Sequence, residues 1–365
     1  MWLLIRACLL SLVLPLGYAY AQPKPGDSQP NSIEFGTIHT DAIAEASFLV
    51  FGADNDDSVK LDVTAPEFVK IRKQKAYAQP AGTGIQSAKA WIELSIDTSM
   101  EGDLAADIEV TFGTVTATIP VSATVKQRHE GQKRLLTIDS PFTAQSTQYS
   151  TMFKAWRQLV DTAGIDANYM LVDPQKPLLR DIELSRFDTV LLADTGLMRM
   201  KAEEATKLQK YVEAGGRLIV FANNFFQGSV EQANIVLSGS GLKIRDEEFF
   251  FTQRQANRIT NVTDFIVEKD ALAESLASLS IDRLRFRRSS PVEVTDPLSA
   301  KALVKAGQLG KPGDGFIGIG KVGSGEMIAV GQSLWCYWIS EEQANGMGNA
   351  KLLEQLIVND SLGTD

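Results

Sequence analysis

The periodicity of apolar residues changes once along this 365-residue chain, at a polar connector over residues 126–133. Before the connector, short stretches alternate apolar and polar residues and are separated by turn residues, which is typical of an all-β sandwich. After it, apolar stretches of strand length alternate with stretches of helical period, among them 148–162 and 201–214, which predicts βαβ units and a mostly parallel sheet covered on both faces. Near the end of the chain, the glycine-rich segment 320–325 between two apolar stretches predicts a hairpin. We therefore expect two domains, a sandwich over 32–125 and an α/β domain over 134–360.

Residues 1–21 have the composition of a cleaved export signal. Arg6 supplies an early positive charge, an apolar run follows over 7–16, and the small residue Ala21 suits signal peptidase. The apolar run is shorter than the roughly 20 residues that a membrane span needs, and no later segment of the sequence qualifies. We expect cleavage near Ala21, a flexible linker over 22–31, and a secreted or periplasmic protein whose mature chain has no transmembrane segment.

Charge and cysteine content narrow the classes of function. The formal net charge is −9, and no basic stripe is interleaved with aromatic residues, so we expect no nucleic acid as a partner. After the leader the chain keeps Cys336, His39 and His129, which supply neither a disulfide nor a set of zinc ligands. We expect no cofactor and no metal. Four clustered arginines alternate as on the solvated face of a strand: Arg283, Arg285, Arg287 and Arg288.

Two motifs mark the ends of the first domain. It opens with Phe35-Gly36-Thr37-Ile38 and closes with the strand Ile119-Pro120-Val121-Ser122-Ala123-Thr124-Val125. In both places the sequence resembles an Ig-like module that is common in exported bacterial proteins. The resemblance implies an Ig-like β-sandwich and transfers no chemistry.

Three segments of the second domain carry a second pattern. They are 187–194, 208–221 and 323–331, and the middle one contains Tyr211-Val212 followed by Gly215-Gly216 and an apolar strand. Together they resemble the class I glutamine amidotransferase-like superfamily, in particular its trehalose-utilisation (ThuA-like) branch. The resemblance implies a flavodoxin-like α/β domain with its site at the carboxyl ends of the strands. It also implies that active members carry a cysteine on the turn after the 208–221 segment, paired with a histidine further along.

This sequence departs from the superfamily at both catalytic positions. The turn reads Ala222-Asn223-Asn224-Phe225, with no cysteine or serine, and no histidine follows His129. Nucleophilic catalysis requires an activated nucleophile beside a positioned base. We therefore expect a noncatalytic exported binding protein rather than an enzyme, with a polysaccharide or a protein at the cell envelope as its partner.

Polar residues at the ends of the predicted strands form the candidate ligand site. The carboxyl ends of parallel strands meet at one edge of a sheet, so these side chains should converge on a polar ligand, with an aromatic ring as an apolar platform. The candidate residues are Asp139, Ser140, Asp173, Asp194, Thr195, Asn223, Asn224, Gln332, Ser333 and Trp335.

Two alternatives stay open from the residues alone. Asp139 and Asp194 would serve as acid and base in a carbohydrate-directed hydrolase, which requires a defined separation of two carboxylates. A structural role without any ligand cleft is the other, because Asp and Asn often end strands where they cap helices and form turns.

Overall fold

The computed structural model describes residues 24–53, 60–77, 88–138, 149–172, 177–179, 182–225, 228–249, 264–307, 311, 313–333, 335–340 and 347–363. Strand is the commonest secondary structure among these residues, and the strands form two four-stranded sheets, a nine-stranded mixed sheet and a two-stranded ribbon. The leader expected over 1–21 lies outside the described residues. Within them, no helix has both the length and the apolar character that crossing a membrane requires.

Two four-stranded sheets make up the first part of the chain. One contains β1 (Ser28–Gln29), β3 (Glu45–Phe51), β6 (Lys89–Ile96) and β5 (Val69–Tyr77), paired antiparallel in that order. The other contains β2 (Ile33–His39), β8 (Val115–Lys126), β7 (Gly102–Phe112) and β4 (Leu61–Thr64). In this second sheet the β2–β8 pair is parallel and the other pairs are antiparallel.

The two sheets share an apolar core that explains the alternation in the sequence. Every second residue of a strand points to the same face, so burying one face of each sheet requires an apolar residue at alternate positions. The buried apolar residues of β6 and β8 belong to one apolar cluster: Ala90, Ile92, Leu94, Ile96, Ala117, Ile119, Val121, Ala123 and Val125.

The prediction of a flexible linker over 22–31 is wrong for the second half of that segment. Strand β1 pairs with β3, so that Ser28 lies opposite Val50. Just before it, Gly26 N donates to Phe51 O at 2.8 Å and Phe51 N donates to Asp27 O at 3.0 Å. Backbone hydrogen bonds do not depend on apolar side chains, so a polar segment joins the sheet without showing strand periodicity.

The nine-stranded sheet occupies the second part of the chain. Strands β14 (Asp264–Glu268) and β15 (Arg283–Arg287) form the separate antiparallel ribbon. In spatial order the large sheet contains β10 (Asp166–Met170), β9 (Arg134–Ile138), β11 (Thr189–Leu192), β12 (Arg217–Phe221), β19 (Gly325–Val330), β18 (Asp314–Val322), β16 (Val292–Val294) and β13 (Leu242–Ile244), and β17 (Ala300–Lys305) also pairs with β18. The first five strands are mutually parallel, and every pair beyond β19 is antiparallel.

The prediction of a mostly parallel sheet is therefore wrong, because half of the strand pairs are antiparallel. The reversal occurs at the β18–β19 hairpin, where Gly323 and Ser324 connect the paired residues Val322 and Gly325. A two-residue turn connects antiparallel strands only, and Gly323 has the positive φ of +59° that such turns require. The sequence predicts this hairpin correctly, and the mixed sheet follows from it.

Helices cover both faces of the large sheet. One face carries α1 (Tyr149–Ala163), α6 (Trp335–Ile339) and α7 (Asn349–Val358), and the other carries α2 (Asp194–Leu197), α3 (Ala202–Glu213) and α4 (Ser229–Val236). The short α5 (Glu274–Ala277) lies in the connection between the ribbon strands. Helices α1 and α3 confirm the predicted helical periods over 148–162 and 201–214.

The edge strand β10 is bound to the first part of the chain. Tyr169 N donates to Ile43 O at 2.6 Å, and Ile43 N donates to the buried Asn168 Oδ1 at 2.8 Å. Just beyond the strand, Leu171 N donates to Glu45 Oε2 at 2.8 Å. The edge of an open sheet otherwise presents unpaired backbone groups, so these bonds satisfy donors and acceptors that would lack partners.

A buried carboxylate lies at the beginning of the same strand. The Asp166 side chain is inaccessible to solvent, with Oδ2 at 2.9 Å from Arg134 Nε and Oδ1 at 3.7 Å from His39 Nδ1. Gln132 Oε1 accepts from His129 N, so the Gln132 amide nitrogen donates to His39 Nε2 at 2.9 Å. His39 Nε2 is then the acceptor, which places the proton of the neutral imidazole on Nδ1, toward Asp166.

We call the contacts of β10 and Asp166 with the first part of the chain the joint. We expect acid to destabilise this joint through His39. Burial lowers the pKa of His39 from its ordinary value of 6.5, against the raising effect of the Asp166 carboxylate. The unfolded chain therefore takes up this proton at a higher pH than the folded protein, so the stability contributed by neutral His39 is present above pH 6.5 and is lost as the pH falls below it.

Urea unfolding of the wild type, His39→Gln and His129→Gln on both sides of that pH measures the effect. The loss of unfolding free energy on acidification should be smaller in His39→Gln. It should be nearly unchanged in His129→Gln, because His129 is exposed. A loss in His39→Gln as large as in the wild type would contradict this account of the joint.

Candidate functional site

Four of the predicted site residues lie together at one edge of the large sheet. Asn223 and Asn224 follow β12, and Gln332 and Ser333 follow β19. The two strands are parallel neighbours, with Phe221 opposite Val330 and with Ala222 N donating to Val330 O at 3.2 Å. The carboxyl ends of β12 and β19 therefore converge as the sequence predicts.

Five other predicted residues lie outside the described part of the chain or follow the neighbouring strand. Asp139, Ser140 and Asp173 lie outside the described residues. Asp194 and Thr195 begin α2, which follows β11 at the same edge of the sheet.

Trp335 does not provide the expected apolar platform. Its side chain is 4% exposed and packs edge-on against Trp156, with ring centroids 4.6 Å apart. Residues 335–339 form a helix whose buried side covers the sheet, and this helical turn directs the indole into the core. The expectation for Trp335 is therefore corrected to a packing role.

Asn223 is buried at the turn after β12 and acts as a structural tie, by which we mean that its hydrogen bonds connect the turn to other segments. Its Nδ2 donates to Arg288 O at 2.7 Å, and its Oδ1 accepts from Phe225 N at 3.1 Å. Its backbone oxygen accepts from Ser229 Oγ, at the first residue of α4, at 3.0 Å. One side chain thus shapes the turn and joins it to the segment that follows β15.

The neighbouring Asn224 has a different environment. Its backbone N donates to Ser290 Oγ at 3.0 Å. Its side-chain Oδ1 is buried, and no hydrogen-bond donor reaches it among the residues that the structure describes. Buried polar atoms are nearly always paired, so this acceptor is the kind of group that a ligand donor or an ordered water satisfies.

The segment 287–290 is held against both strand ends. Ser290 N and Ser289 Oγ both donate to Gly331 O, at 2.7 and 2.5 Å. Gln332 Oε1 accepts from Arg287 N at 3.0 Å. A Cβ at Gly331 would collide with Ser290 O, so glycine is required where this segment crosses β19.

Two consecutive arginines of this segment, Arg287 and Arg288, contact aromatic side chains at this edge of the sheet. Arg288 has a φ of +49°, a left-handed conformation that costs a residue with a side chain about 1 kcal/mol or more. Its guanidinium lies over the Phe225 ring, 4.9 Å from the centroid, and Arg287 Nη1 donates to Tyr337 Oη at 3.1 Å. Non-glycine residues are retained in strained conformations mainly where function or packing demands it.

Arg287 and Arg288 are not predicted as site residues, because the alternation of the arginine cluster indicates one solvated face of a strand. Within β15 the expected alternation exists: Leu284 and Phe286 are buried, and Arg283 is exposed. Arg288, however, follows Arg287 directly and therefore breaks the alternation. That interruption is the signal in the sequence that marks the end of the strand.

Chemically, this edge offers hydrogen-bond donors, an amide acceptor and stacked planar groups. Among the described residues, no group of three or more His, Cys, Asp or Glu side chains is arranged to hold a metal ion. The thiol of Cys336 is buried.

Comparisons with known proteins give distant structural likenesses. No protein-family model and no curated protein matches the sequence. The chain is similar to the mmIFT52 N-terminal domain, with 14% identity, a TM-score of 0.39, and coverage of 63% of this chain and 99% of that one.

Two glycosidases show likenesses of the same order. For the exo-beta-1,4-mannosidase Op5Man5 from Opitutaceae bacterium strain TAV5, the identity is 14%, the TM-score 0.38, and the coverage 62% of this chain and 36% of that one. For the beta-galactosidase from Bacillus circulans sp. alkalophilus, the values are 13%, 0.35, 55% and 28%. The chain thus spans about a third of the length of the two glycosidases, and at these TM-scores none of the three likenesses assigns an activity.

We expect Asn223→Ala to destabilise the protein by about 2 kcal/mol, because it leaves the Arg288 carbonyl and the Phe225 N–H without their buried partner. Chemical denaturation measures the change. Asn359→Ala is the matched control, because Asn359 lies at the end of α7, is only partly buried and should change stability far less. A loss in Asn223→Ala no larger than in the control would show that Asn223 is not a structural tie.

Proposed function

We propose that this protein is a noncatalytic binding protein that takes a polar ligand at the carboxyl ends of β12 and β19. The observation that carries the proposal is the burial and hydrogen bonding of Asn223. It occupies the position where the amidotransferase resemblance expects a nucleophile, and its amide is buried and engaged on both sides by backbone groups. The side chain at that position therefore acts as a structural tie.

The two histidines of the mature chain support the same conclusion. A nucleophile requires a base within hydrogen-bond reach. His39 lies against Asp166, at the amino end of β10, whereas Asn223 follows the carboxyl end of β12. His129 is exposed between β8 and β9. Neither imidazole is thus placed to serve as the base of an amidotransferase-type reaction at Asn223.

The strand order supports the fold that the resemblance implies. The five parallel strands follow the spatial order second, first, third, fourth and fifth, counted along the chain from β9. That order is the one of flavodoxin-like sheets, in which ligands bind beyond the carboxyl ends of the strands. We accordingly propose a flavodoxin-like, amidotransferase-related domain over 134–360. The two four-stranded sheets before it, which share one core, support an Ig-like sandwich over 32–125.

The chemistry of the edge indicates the class of ligand. Arg287 and Arg288 carry planar guanidinium groups that bind carboxylates or hydroxyl groups, and Asn224 Oδ1 is an acceptor for a ligand donor. Tyr337 and Phe225 add aromatic surface beside them. This set suits a carbohydrate or an exposed peptide end, so we propose a polysaccharide or a protein of the cell envelope as the partner.

We expect a thermal-shift screen against oligosaccharides and peptides to identify ligands that raise the melting temperature, because a ligand that binds only the folded state stabilises it. For such a ligand, Arg288→Gln should weaken binding about tenfold, since it removes hydrogen bonds to a charged donor. Arg283→Gln is the control, because Arg283 is exposed at the far end of β15 and should leave binding unchanged.

A hydrolysis assay of the same purified protein tests the hydrolase alternative. If the purified protein hydrolyses one of the oligosaccharides, and Asp139→Asn or Asp194→Asn abolishes the activity, the noncatalytic proposal is wrong. If Arg283→Gln weakens binding as much as Arg288→Gln, the ligand does not bind at the carboxyl edge.

We further infer that the protein is exported, on the basis of the leader composition. Expressed in a Gram-negative bacterium, the protein should appear in the periplasm or the medium with Gln22 as its first residue, which intact-mass measurement and N-terminal sequencing detect. Arg6→Glu should reduce export, because it reverses the early positive charge of the leader. A cytoplasmic protein that retains residues 1–21 would contradict the inference.

A further inference from the structure

A concave surface lies at the opposite edge of the large sheet. It is a groove of about 920 Å³ at the amino ends of the parallel strands, where its floor includes Thr189 of β11, Arg217 of β12 and Glu326 of β19. Nothing in the proposed function uses this surface.

Three acidic side chains line the groove, and each already has a partner. Glu326 Oε2 accepts from Arg217 Nη2 at 2.7 Å, and Asp360 pairs with Lys133 at 2.8 Å. Asp188 Oδ2 accepts from the backbone N of Arg134 at 2.8 Å. Each acidic group of the groove is therefore already engaged within the protein, and two of the three are paired with a cation.

Three lysines also line the groove and differ from the acidic residues in their ion pairing. Lys207 and Lys210 are three residues apart on α3, so they share one face of that helix, and Lys321 lies near the end of β18. All three are exposed, and no carboxylate of the described residues forms an ion pair with any of them. Lys321 is opposite Glu326 in the β18–β19 ladder, yet the Glu326 carboxylate binds Arg217 instead.

The groove therefore has an excess of positive charge in an acidic protein. Its lining contains five cationic and three anionic side chains, whereas the whole chain has a formal net charge of −9. Clustered cations raise the local concentration of anions and are costly to hold together without them.

The elements that carry the lysines are fixed relative to one another. Ser324 N donates to Glu213 O at 3.0 Å, and Glu326 N donates to Gly216 O at 3.2 Å, so the β18–β19 turn is bonded to the end of α3. A Cβ at Gly325 would collide with Val212 O, which shows how closely the two backbones approach. The backbone positions of the lysines are thus fixed before a ligand binds, so only their side chains have to be ordered.

We propose that this groove binds a small organic anion that carries phosphate or carboxylate groups, with Lys207, Lys210 and Lys321 as the residues that pair with its charges. The volume lies within the range of sites for small ligands, which favours a small anion over a polymer. The Arg217–Glu326 pair forms the floor and keeps its own charges balanced.

Isothermal titration of the purified protein with pyrophosphate and with citrate at low ionic strength tests the proposal. At least one of the two anions should bind with one-to-one stoichiometry, and the anion that binds more tightly distinguishes phosphate from carboxylate recognition. A variant with Lys207→Gln, Lys210→Gln and Lys321→Gln should lose about tenfold or more in affinity.

The control removes the same charge elsewhere, with Lys243→Gln, Lys305→Gln and Lys351→Gln, all of which are exposed outside the groove. This control should retain the affinity of the wild type, and so should Arg288→Gln, which belongs to the carboxyl edge. Absence of binding by both anions, or an equal loss of affinity in the two triple variants, would overturn the proposal.

Discussion

The edge of the nine-stranded sheet at β10 determines how the whole chain is assembled. An open sheet ends in a strand with unpaired backbone groups, and such an edge tends to pair with other chains. Here the segment 43–45 runs along β10 from the neighbouring sandwich and satisfies groups of residues 168–171. The sandwich therefore covers the β10 edge of the large sheet. The connector between β8 and β9 does not separate two independent units.

The side chains at this joint strengthen the same conclusion. Asp166 is buried between Arg134 and His39, and removing either Arg134 or Asp166 would leave the other charge without its partner. Around it, Phe35 of β2 approaches Tyr169, and Tyr169 Oη accepts from Trp156 Nε1 at 3.0 Å. One apolar core thus extends from the sandwich into the helical face of the large sheet. The two functional surfaces that we propose are both formed by the large sheet that this core supports.

What the sequence predicts correctly is local. The alternation in β8, the helical period of α3 and the glycine turn after β18 each follow from contacts between residues close in the chain. The joint could not be read in this way, because Ile43 and Asn168 are 125 positions apart and join through a backbone group and an amide. The candidate edge was predicted through a general rule for parallel strands, which finds Asn223 and Gln332. It could not find Arg288, whose position depends on a ribbon packed from another part of the chain.

The interactions of Asn223 give the turn after β12 a structural role, which is the basis of the binding function that we propose. An amide donates and accepts at once, so it satisfies the Arg288 carbonyl and the Phe225 N–H together. A thiol or hydroxyl at this position is shorter than the amide and could not make both bonds, so the turn would lose one of its connections to the 287–290 segment. A nucleophile here would thus loosen the surface that we propose for the ligand. The same side chain cannot attack a substrate and fix that surface, and in this protein it fixes the surface.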